Sequence, residues 1–88
     1  MNINDTLKKI ARKKIRFLVK DIEDSDLVLV EGDRRALRSL SELIVAVANS
    51  GNDHVHLSPT MAGSIFFKKK STKGFYFRCV EKTKPNRP

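Results

Sequence analysis

Between residues 14 and 20 the chain alternates, with Ile15, Phe17 and Val19 apolar and Lys14, Arg16, Leu18 and Lys20 between them. A period of two puts the first three on one face of a strand with one buried side. Leu27, Val28, Leu29 and Val30 follow as an unbroken apolar run that ends at Glu31 and Gly32, and this reads as a second strand. The polar, acidic stretch 21–26 between the two makes them a hairpin.

The period then lengthens. Leu37, Leu40, Leu43, Ile44 and Val47 recur at three- and four-residue spacing behind Asp33, which predicts an amphipathic helix of about four turns with Asp33 as its N-cap. Asn49, Ser50 and Gly51 end it, Gly51 being suited to the left-handed position beyond the last turn. Ala36, Ala46 and Ala48 are small enough to let this helix lie close on a sheet. Ahead of the first strand, Leu7, Ile10 and Ala11 share one side of a short helix that Asn4 or Asp5 could cap.

Three strands are expected after the long helix, at residues 54–57, 64–68 and 75–80. Pro59-Thr60 and the turn cluster 71–74 separate them. The predicted architecture is α+β: an antiparallel β-sheet of about five strands, in the order β-β-α-β-β-β, with one amphipathic helix packed on one face. Residues 1–81 form a single domain, and residues 82–88, basic and holding two prolines, form a disordered tail.

Composition narrows the class. The chain has 88 residues, 40% of them hydrophobic and 32% charged, as in an ordinary globular domain. Its longest wholly apolar run, residues 43–48, is six residues, against the ~20 needed to span a bilayer. Lys8 and Lys9 are not followed by a continuous apolar segment, so the N-terminus does not read as a secretory signal. Cys79 is the single cysteine, which fits a reducing compartment. A cytoplasmic protein without membrane association is expected.

The net charge is +8, and it is segregated. Residues 8–20 carry seven bases and no acid, residues 21–33 six acids and no base, and residues 68–88 eight bases against Glu81 alone. Such a distribution favours a polyanion or a charged protein partner.

The chemistry-bearing residues are few. His54 and His56, two apart in a strand, point to one face and could supply two metal ligands, with Asp53, Cys79 or Glu81 as a third. Two histidines alone are an incomplete zinc site, and a partner-facing pair is the plainer reading. Ser58 and Ser64 lie in no elbow or triad context, and the four glycines form no phosphate-cradling pattern. No enzymatic activity, cofactor or metal is therefore expected.

Residues 73–77, Lys-Gly-Phe-Tyr-Phe, partly resemble the first ribonucleoprotein motif of the RNA recognition module. They depart from it at Tyr76 and, further on, at Val80. A strand packing Phe75, Phe77 and Cys79 under the helix accounts for them as well. For a nucleic-acid-binding domain the candidate contacts are Lys68, Lys69, Lys70, Lys73, Tyr76 and Arg78.

A more specific pattern runs from Leu27 to Phe67. It combines the Leu-Val-Leu-Val-Glu-Gly-Asp segment 27–33, the Leu/Ala/Val-rich helix, His54-Val55-His56-Leu57, and Gly63-Ser64-Ile65. This order resembles a bacterial immunity-protein family of polymorphic toxin systems, the one numbered thirty-two. Ser58 stands where that family usually has an acid, and Phe66 where a glutamate is common. The resemblance implies a protein that binds a cognate toxin and blocks its active site or substrate access. The partner-binding candidates are Asp21, Glu23, Asp24 and Asp26 on the acidic strip, with His54 and His56. A third expectation is a homodimer through an exposed strand edge.

Overall fold

The computed structural model describes residues 1–80. The tail at 82–88 and Glu81 lie outside the described residues. The elements are α1 (Ile3–Arg12), β1 (Leu18–Asp21), β2 (Val28–Glu31), α2 (Arg34–Ala48), β3 (His54–Leu57), a 3₁₀ turn (Ser64–Phe66) and β4 (Phe75–Arg78). The strands form two separate antiparallel ribbons, β1–β2 and β3–β4. The fold is α+β, but the expected single five-stranded sheet is not formed.

Residues 64–68 account for the difference. They were expected to be a strand, yet Gly63, at φ 89°, turns the chain into the 3₁₀ helix. Phe66 and Phe67 are consecutive and both buried. An alternating strand with one buried face could not bury both, whereas a turn followed by extended backbone does. The segment meets Phe17, just ahead of β1, through an isolated bridge to Phe67, with Phe17 N–H donating to the Phe66 carbonyl at 2.8 Å.

The segment that follows covers the outer edge of β1 without becoming a strand. Lys68 N–H donates to the Phe17 carbonyl at 2.7 Å, and the Thr72 and Lys73 N–H groups donate to the Val19 carbonyl at 2.9 and 3.1 Å. Between them the buried Ser71 hydroxyl accepts from Val19 N–H at 3.1 Å and donates to the Phe17 carbonyl at 3.2 Å. A side chain thus stands in for ladder bonds that a strand would have supplied.

Asn2 caps α1, its side chain accepting from Asp5 N–H at 2.7 Å. Neither Asn4 nor Asp5 is the cap; Asp5 sits in the first turn, where its charge suits the helix dipole. The helix ends in a Schellman arrangement. Lys14 N–H reaches the Ala11 carbonyl and Ile15 N–H the Ile10 carbonyl. Lys14 takes the left-handed position at φ 56°, and Ile10 and Ile15 are both in the core.

Asp33 caps α2 as expected, accepting from Ala36 N–H at 2.8 Å. The buried stripe, however, is Ala36, Ser39, Leu40, Leu43, Ala46 and Val47, leaving Leu37 and Ile44 about half exposed. Small residues line the close approach, and the helix is rotated toward them. The core centres on Phe17, which is wholly buried, with Ile10, Val19 and Leu43 around it. Phe75 meets Phe17 edge-on and packs on Phe67 and Phe77, joining the second ribbon to this core. Gly74 lets β4 start there, since a Cβ would run into the Leu57 carbonyl.

Candidate functional site

The six partner-binding candidates fall on two ribbons. Asp21 ends β1, and Glu23, Asp24 and Asp26 form the turn to β2, all of them exposed. The turn is held by Ser25, whose hydroxyl donates to the Ile22 carbonyl and accepts from Leu27 N–H, with Asp24 in a left-handed conformation at φ 61°. Aspartate tolerates that conformation better than most residues, and the tight turn crowds its acids at the tip. Among the described residues, Asp21 alone of these four has an ion pair, with Lys73 at 3.7 Å.

Beside this acidic tip lies a feature that the apolar run did not reveal. β2 has no buried residue: Leu29 is half-buried, while Leu27, Val28 and Val30 are 60%, 53% and 43% exposed. Ile22, across the turn, is 39% exposed. Val28 and Val30 share their face with Val19, which is in the core, so the apolar face of the hairpin runs past the core that should cover it. Ile22 N–H donates to the Leu27 carbonyl, which fixes the alternation: Leu27, Leu29 and Glu31 turn their backbone to β1. The N–H and C=O groups of Val28 and Val30 therefore point to the other edge, where no strand pairs among the described residues.

His54 and His56 lie on the exposed face of β3, while Val55 and Leu57 are buried. The register places Arg78 opposite His54 and Tyr76 opposite His56. The three rings lie nearly parallel, with centroids 5.2 to 5.5 Å apart. Two histidines from one set of candidates and Tyr76 and Arg78 from the other thus share one small aromatic surface. Cys79 packs against the core, its thiol 3.8 Å from the Ala48 carbonyl, on the opposite face of β4. Among the described residues no three His, Cys, Asp or Glu side chains come together as a metal would need.

The nucleic-acid candidates are scattered. Lys73 is tied to Asp21, Tyr76 and Arg78 are on the histidine face, and Lys68 lines a different concavity. That concavity, about 240 Å³, brings Lys68 together with Lys14, Arg16 and Arg35. Reading along the chain could not have joined these four, which come from three separate segments.

No protein-family model, curated protein or solved structure matches this chain.

Proposed function

We propose that the chain is an immunity protein, which binds a cognate toxin domain through the outer edge of β2 and the acidic turn beside it. The observation that carries this reading is the unpaired, apolar edge strand. Free N–H and C=O groups on a strand invite pairing with another chain, and natural edges are usually blunted by lysine, proline or a bulge. β2 has no lysine or proline, and it is apolar on both faces up to Glu31 at its end. Apolar side chains at the centre with charge at the rim are the ordinary anatomy of a protein interface.

The rim selects the partner. Glu23, Asp24 and Asp26 are exposed and without an ion pair among the described residues, so the complementary surface is basic. A toxin that cuts nucleic acid has such a surface at its active site, and a strand added along β2 would carry the acidic tip against it. The acids then govern encounter rate and partner choice, while the apolar edge holds the complex.

The test is protection of cells that express a candidate nucleic-acid-cutting toxin, with binding of the purified pair measured in parallel. Val28→Pro and Val30→Pro each remove one outward donor and leave the bonds to β1 in place. Each is expected to weaken toxin binding by about tenfold, and the pair to abolish protection. Charge reversal at Glu23, Asp24 and Asp26 is expected to slow association. Full protection by the doubly substituted chain would overturn the proposal, and a dimer dissolved by the same prolines would assign the edge to a second copy.

A further inference from the structure

The concavity at the start of α2 stands apart from the β2 edge and has a different chemistry. Lys14 comes from the end of α1, Arg16 from the approach to β1, Arg35 from the first turn of α2 and Lys68 from the segment after the 3₁₀ turn. All four are exposed, and none has an ion pair among the described residues. The one carboxylate present, Asp33, is already engaged in capping Ala36 N–H. Lys13, Arg34 and Lys69 adjoin the lining residues in the chain and are exposed too.

We infer that this concavity is a binding site for the phosphodiester backbone of nucleic acid, contacted without regard to sequence. Four converging cations exceed what a single phosphate requires and suit successive phosphates along a strand. Two guanidinium forks offer paired donors to phosphate oxygens, and the two ammonium groups act as point charges. Ile15 and Ala36, the apolar residues of the lining, are buried, so what an incoming strand meets first is the four cationic side chains. The nucleic-acid contact is thus set by charge, and its affinity falls steeply with salt.

Lys14 provides a clean probe. It holds a left-handed conformation at φ 56°, where glycine is at ease and lysine is not. Lys14→Gly therefore keeps or improves folding while deleting one of the four charges.

Anisotropy of a fluorescent 20-base-pair DNA duplex, titrated with the full chain between 50 and 200 mM salt, tests the site. Each lost phosphate contact lowers the slope of log affinity against log salt by about 0.9 on duplex DNA. Lys14→Gly is expected to lower it by about 0.9, and Arg16→Gln/Arg35→Gln/Lys68→Gln by about 2.7. Lys8→Gln/Lys20→Gln, which removes charge outside the concavity, is expected to leave the slope within error. Three results would overturn the inference: no binding at 50 mM salt, an unchanged slope in the triple variant, or an equal loss in the control. Competition by polyglutamate as effective as unlabelled duplex would assign the site to an acidic protein instead, and would overturn it as well.

Discussion

Val19 and Val30 face each other across one hairpin with their side chains on the same face. Val19 is 1% exposed, and its outward N–H and C=O are taken by Ser71, Thr72 and Lys73. Val30 is 43% exposed, and its outward groups meet no strand among the described residues. The two residues are the same amino acid, in neighbouring strands of equal length. What differs is whether the chain returns to cover the edge. Residues 67–73 do so for β1, and nothing described does so for β2. The difference teaches that an apolar run is not in itself a core strand: its burial depends on whether the chain returns to cover it.

Several substitutions would break or sharpen this contrast. The largest effect is expected inside the covered strand. Val19→Ala should cost about 2–3 kcal/mol, from lost burial and the cavity left behind, whereas Val30→Ala should change stability by no more than about 0.5 kcal/mol. Chemical denaturation of both variants checks the pair, and equal losses would mean that β2 is covered in the free protein. A smaller effect is expected at the cover itself. Ser71→Ala strips a partner from Val19 N–H and from the Phe17 carbonyl, both buried, and should cost about 1–2 kcal/mol. Its urea midpoint should fall while Val30 stays as exposed as before.

Much of the fold was legible in local pattern. Period two named Ile15, Phe17 and Val19 as one buried face, and Asp33 and the three-to-four spacing located α2. The His54/His56 alternation placed both rings outside. Legibility failed where a contact distant in sequence decides the outcome. Ser64-Ile65-Phe66-Phe67 has strand composition, yet the left-handed Gly63 and the need to bury two adjacent rings made it a turn. The α2 stripe turned toward Ala36 and Ala46 because packing distance, not hydrophobicity, chose the face.

The candidate surfaces show the same division. The acidic strip was visible because its members are consecutive, and it lies together at the hairpin tip. The union of His54, His56, Tyr76 and Arg78 depends on the β3–β4 register, which no single segment encodes. The exposure of β2 was hidden by its own composition: four apolar residues in a row suggest burial, and only the missing neighbour shows otherwise. Convergence of Lys14, Arg16, Arg35 and Lys68 needed the whole chain to be folded.

Amide hydrogen exchange at Val28 and Val30 in the free chain and in its complex with the cognate toxin tests the central claim most directly. Both N–H groups point to the open edge, so they should exchange quickly in the free protein, while Leu29, bonded to β1, exchanges more slowly. In the complex both should become protected, by tenfold or more on the order of one added hydrogen bond each. Unchanged exchange at Val28 and Val30, with protection appearing instead on the β3–β4 face, would contradict the account and move the interface to the histidine surface.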